Sequence, residues 1–138
     1  MALIRNDEVQ TSIISSLLAD LTVTAELIDP DEIREVHWKG QEFTYPNIRV
    51  EMSRNTPSQG GEHCLSEIGL NIYVYSEEAS SRQANRIAGI IADKYHNKSL
   101  NSSGLFFTRF RADIIPAISQ NITTWRSQVT LSSTVGRT

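Results

Sequence analysis

Hydrophobic positions recur along this chain with two periods, and the switches between them predict its elements. Val9, Ile13, Leu17 and Leu21 fall every four residues, with Ile14 and Leu18 widening the stripe, as on the buried face of an amphipathic helix. Asn6 or Asp7 can cap this helix, because an Asx side chain accepts from the free amides of a first turn. Its end is expected before Asp29-Pro30-Asp31, since proline disfavours helical geometry in the residue before it. Val36 and Trp38 then alternate weakly with charged neighbours, which predicts a short strand over 33–38 closed by a turn at Lys39-Gly40.

After Tyr45-Pro46 the period becomes two. Ile48, Val50 and Met52 fall on one face and Arg49, Glu51 and Ser53 on the other, the pattern of a half-buried strand. Residues 55–62 read NTPSQGGE, with no apolar anchor, so a mobile loop is expected near 53–64. Ile68, Leu70, Ile72 and Val74 alternate with Gly69, Asn71, Tyr73 and Tyr75 in the clearest strand of the chain, whose second face is too aromatic for open solvent. Ser80 and Ser81 open a second helix with Ala84, Ile87, Ala88, Ile91 and Tyr95 in one stripe, and NKSLNSSG at 97–104 stops it. Two strands follow, with Phe106, Thr108, Phe110, Ala112 and Ile114 on one face of the first and Trp125, Val129 and Leu131 on one face of the second. Pro116 and Ser119-Gln120-Asn121 suit a bend between them. The closing residues 132–138 are expected to be a flexible tail. Strands interrupted by only two helices predict a single α+β domain over 1–138, with an antiparallel or mixed sheet of about four to five strands packed with two main helices.

Composition narrows the function classes. At 138 residues, 39% hydrophobic and 21% charged, the chain suits one globular domain and is too apolar for a disordered one. Its apolar runs are far shorter than the ~20 residues of a bilayer span, and the start MALIRNDEV lacks the pattern of a secretory signal. No membrane partner is expected. A net charge of −3 argues against general attraction to nucleic acid.

Catalytic motifs are missing. Neither GxGxxG nor GxxxxGK[ST] occurs, and there is no GxSxG elbow. The one cysteine, Cys64, adjoins His63, but two ligands fall short of a structural zinc site and neighbours on an extended chain point apart. No cofactor, metal or enzymatic activity is expected. Asp29, Asp31 and Glu32 read as a solvated turn, and Glu77-Glu78 as the acidic lead-in that favours the positive N-terminal end of the following helix. Arg109 and Arg111 share a strand face opposite Phe106 and Phe110, while Arg126 faces away from Trp125. With Tyr73 and Tyr75, and with Arg54 and Gln59 in the polar loop, they make the mixture of arginine and aromatic residues enriched at protein interfaces. These seven are the candidate contact residues; a plain solvent face or core packing explains the same pattern.

The order of patterns carries a resemblance. An opening helix through Leu21, the proline-led strand Tyr45-Pro46-Asn47-Ile48-Arg49-Val50, the polar loop at 56–62, the strand LNIYVYS at 70–76 running directly into the helix around 84–95, and a final strand pair resemble the tail-terminator or tail-completion proteins of tailed bacteriophages. The resemblance implies an α+β subunit in the phage neck that forms a hexameric ring. That ring closes the head-proximal end of the tail tube and leaves a channel for DNA. Its implied partners are further copies of itself, the tail tube protein, and a head–tail connector or stopper protein, with DNA met only in passage. The implied location is the virion, and the host cytoplasm during assembly. Alternatives are another neck component such as an adaptor or stopper, a small hydrolase using Cys64 and His63, and a monomeric adaptor that captures a peptide at its sheet edge.

Overall fold

The computed structural model describes residues 3–40, 44–58 and 65–138. Ten elements follow in order: α1 (Asn6–Leu18), α2 (Leu21–Thr24), β1 (Ile33–Glu35), β2 (Asn47–Pro57), β3 (Leu65–Ser76), α3 (Arg82–Tyr95), β4 (Leu100–Ser102), β5 (Leu105–Phe107), β6 (Arg111–Ser119) and β7 (Trp125–Arg137). The strands form one curled sheet in the order β1-β2-β3-β7-β5-β4, with β6 also paired to β7. Among these strands only β1 and β2 run parallel.

This corrects the expected α+β fold of four to five strands with two main helices. Among the described residues the protein is mostly β, 44% strand against 24% helix, with a mixed sheet of seven strands. The unforeseen strand β4, and β5, cut from the single strand expected over 106–114, are three residues each. Segments that short show no period of their own; pairing with a neighbour specifies them. They meet through Ser103 (φ 54°) and Gly104 (φ 78°), the two positive-φ positions that a two-residue hairpin turn requires.

β7 is the spine. It pairs with β3 from Trp125 to Gly136, and its other side carries β6 up to Ser132 and β5 from Val135 to Arg137. Residues 132–137, expected to be a flexible tail, are therefore strand. The Arg137 guanidinium locks the end down, donating to Glu8 at 3.1 Å and to the Leu3 carbonyl at 3.0 Å. Of the loop expected near 53–64, the stretch through Pro57 completes β2, and 59–64 lies outside the described residues.

The core lies between one sheet face and the helices. α1 contributes Val9, Ile13 and Leu17, α3 contributes Ile87, Ala88, Ile91 and Tyr95, and the strands add Ile48, Val50, Ile68, Leu70, Ile72, Val74, Val129 and Leu131. The two strongest strand patterns and the α3 stripe thus face inward as read. A bulge between Met52 and Arg54 turns Arg54 to the face of Arg49 and Glu51, opposite Gly69. A Cβ at Gly69 would lie 2.8 Å from Ser53 Oγ, so a larger residue there would have to turn the serine hydroxyl aside.

The first helix differs from its pattern. Arg5 occupies the cap position instead of Asn6 or Asp7, with its backbone N–H donating to the Glu8 carboxylate at 2.9 Å. The helix stops at Leu18, and Leu21, placed in its buried stripe, is 82% exposed. Asp20 causes the break: its carboxylate accepts from Thr22 and Val23 N–H groups, starting a new helix out of register with the first. Burial disfavours the Asp20 carboxylate, but the Lys94 ammonium at 3.1 Å and these amides outweigh it, and its pKa is lowered. Asp20→Ala is expected to cost about 1 kcal/mol, the usual loss for such a cap, in a urea titration at neutral pH. Because the folded pKa is the depressed one, this contribution is full above the ordinary aspartate pKa and fades as pH falls through it towards the depressed value. An Asp20→Ala deficit that is unchanged in acid well below both values would refute the assignment.

Candidate subunit interface

Among the described residues no helix covers the second face of the sheet; both α1 and α3 pack on the core side. In the register of β2, β3 and β7, Glu51 stands opposite Asn71, Asn71 opposite Thr130, Tyr73 opposite Gln128, and Tyr75 opposite Arg126. Alternation thus gathers polar and aromatic side chains from three strands into one plate. Glu51 Oε1 accepts from Asn71 Nδ2 and from the Tyr73 hydroxyl, both at 3.0 Å. Gln128 Nε2 donates to Asn71 Oδ1 at 3.0 Å, and the Thr130 hydroxyl to the same oxygen at 3.3 Å. The Arg126 guanidinium lies 5.2 Å from the Tyr73 ring centre, and the Tyr73 and Tyr75 rings are 6.4 Å apart.

Burial, and then the Glu51 carboxylate, raise the Tyr73 pKa, with Arg126 acting weakly the other way. The phenol therefore stays a neutral donor to Glu51.

Of the seven candidate contact residues, the structure brings Tyr73, Tyr75 and Arg126 together. Arg111 stands opposite Ser132, six positions along β7 from Arg126, or about 20 Å at the usual strand rise. It is exposed and pairs with Asp113 at 3.6 Å. Arg109 is exposed before the start of β6, and Arg54 is exposed on β2. Gln59 lies outside the described residues, as do His63 and Cys64. Among the described residues no three His, Cys, Asp or Glu side chains are placed to hold a metal ion, and no helix is long and apolar enough to cross a membrane.

The sequence reading missed the largest apolar exposure. Ile114, Ile115 and Ile118 on β6 are 51%, 45% and 49% exposed, and Ile122 in the β6–β7 turn is fully exposed. The signal was there: adjacent Ile114 and Ile115 must point to opposite faces of a strand, so no single core can take both. Also missed was the link between β1 and β2, where Glu32 and Arg49 form a buried ion pair at 2.9 Å. Arg34 stacks on Trp38 beside them at 3.8 Å.

The architecture is that of a small, mostly β protein in which no helix covers one face of the curled sheet among the described residues. Compared by sequence, the chain matches no family model and no curated protein. Compared by structure, it is similar to a chain in the virion of a native gene transfer agent particle, with a TM-score of 0.72 and 13% identity over 92% of this chain and 93% of that one. A second solved protein matches with a TM-score of 0.60 and 16% identity over 98% of this chain and 96% of that one. At these identities the likeness is one of fold.

Proposed function

We propose that this chain is a structural subunit of a tailed-phage or phage-like virion, and within it the tail terminator. In this reading it forms a hexameric ring on the last ring of the tail tube, joins the head-side connector or stopper, and leaves a channel for DNA. It performs no bond chemistry, and it resides in the virion, passing through the host cytoplasm during assembly. The observation that carries the reading is the fold likeness, end to end in both chains, to a component of a virion. The sheet face supports it. Side chains already bonded to one another lose little freedom on docking, and the exposed isoleucines of β6 mark a surface that a partner would cover.

Native mass spectrometry of the purified protein, alone and with tail tubes, tests the reading. A hexamer in solution, or a monomer that becomes hexameric on tubes, is the expected result. A protein that stays monomeric in both samples is not a ring component. Electron microscopy of labelled virions then separates the terminator from an adaptor or stopper by position along the neck.

A further inference from the structure

Two guanidinium groups share one carboxylate at the β1–β2 corner. Glu32 Oε2 accepts from Arg49 Nη2 at 2.9 Å, while Glu32 Oε1 lies 3.7 Å from Arg34 Nε. The shorter contact commits Glu32 to Arg49 and leaves Arg34 the surplus cation. Its Nε is buried with no acceptor, and its other contact among the described residues is the Trp38 ring at 3.8 Å. The nearby carboxylates are engaged elsewhere: Glu35 accepts from the His37 N–H at 2.8 Å, Glu51 from Asn71 and Tyr73, and neither forms an ion pair among the described residues. A charge taken partly out of water calls for a counter-charge.

A small pocket opens beside Arg34. Val36, Tyr45, Asn47, Arg49 and Tyr75 line about 190 Å³, the space of one side chain. Arg34 stands opposite Arg49 in the register of β1 and β2 and two residues before Val36, so it borders two of the lining residues. Asn47 is 3% exposed and its Nδ2 donates to the Thr44 carbonyl at 3.3 Å, which leaves one amide hydrogen for a ligand. The Tyr45 and Tyr75 hydroxyls form no hydrogen bond among the described residues. Donors and positive charge thus gather around a space walled by Val36 and two phenol rings.

We propose that this pocket takes the acidic side chain of a protein partner. Its methylene groups pack against Val36 and the tyrosine rings, and its carboxylate balances Arg34 and accepts from the phenol hydroxyls. The ligand is a carboxylate because the unmet requirement is for negative charge in a space of side-chain size. It comes on a protein because tryptophan, tyrosine and arginine around a pocket are the residues that dominate binding energy at protein interfaces.

Titration with sodium propionate, against sodium chloride at equal ionic strength, tests the site with the carboxylate alone. Nuclear magnetic resonance is expected to show the Trp38 indole and Arg34 Nε signals moving saturably with propionate, while those of Arg111, already paired with Asp113, follow the chloride series. Arg34→Met should weaken binding about tenfold, the loss of one charge-assisted hydrogen bond. Tyr75→Phe, which keeps the ring and every charge, should weaken it less; thermal melting by circular dichroism verifies that both variants fold. Raising the protein concentration without propionate separates the sources: the same movement assigns the carboxylate to a second copy, and its absence assigns it to a different protein. Equal movement at every exposed arginine would mean an adventitious ion only and overturn the proposal. So would movement no larger than in chloride, or inorganic phosphate that binds in place of propionate and is not displaced by it. Propionate binding is read independently of oligomeric state, so a monomer that binds propionate removes the ring and keeps the site.

Discussion

Glu32→Ala is expected to destabilise the protein by about 3–5 kcal/mol, the usual cost of removing one partner from a buried ion pair. The Glu32 and Arg49 side chains are 3% and 5% exposed and meet at 2.9 Å. Arg49 Nη1 also donates to the carbonyls of Ile48 at 3.0 Å and Glu32 at 3.4 Å. Without the carboxylate, a guanidinium would remain out of water and lose the counter-charge that Glu32 supplies. The loss should appear as a lower urea midpoint at unchanged slope. Replacing both partners, Glu32→Leu with Arg49→Met, should recover most of it, because a buried ion pair adds little beyond an apolar pair of similar volume. A single-variant loss below about 1 kcal/mol would put the pair in solvent-like surroundings and contradict the structure.

The second large effect concerns two adjacent phenylalanines. Phe107 is fully buried and its ring centre lies 5.4 Å from that of Phe110, which meets Tyr95 of α3 edge-on at 5.2 Å. Phe106, one residue away, is 43% exposed. Phe107→Ala should therefore cost about 3–5 kcal/mol, as cavity-forming phenylalanine truncations do, and Phe106→Ala should stay within about 1 kcal/mol of the parent. The reverse ranking would mean that β5 is shifted by one residue, since a single step exchanges the faces of a strand.

That pair also shows where a reading of the sequence reaches its limit. Phe106, Thr108, Phe110, Ala112 and Ile114 alternate without interruption, and one continuous strand with all five inward is the simplest reading. The chain instead breaks at residues 108–109 between β5 and β6. Leu105 and Phe107 point inward before the break and Phe110 after it, and the Phe110 carbonyl accepts from the Asn97 N–H that follows α3. The break depends on what β7 and the end of α3 offer as partners, which no local window contains. The candidate contact residues divided for the same reason. Tyr73, Tyr75 and Arg126 could be assigned a face by alternation, but only the pairing of β3 with β7 places Arg126 beside Tyr73 and leaves Arg109 and Arg111 remote.

By itself the sequence determined the inward faces of β2, β3 and α3, because there a sustained period of two or 3.6 residues leaves one arrangement that removes the apolar side chains from water. The tertiary structure alone decided the number of strands, the break between α1 and α2, the ordered C-terminal strand and the uncovered isoleucines of β6. Each of these rests on partners far apart in the chain, such as Arg137 with Glu8 or Asp20 with Lys94, and contacts at that separation exist only once the chain has closed on itself.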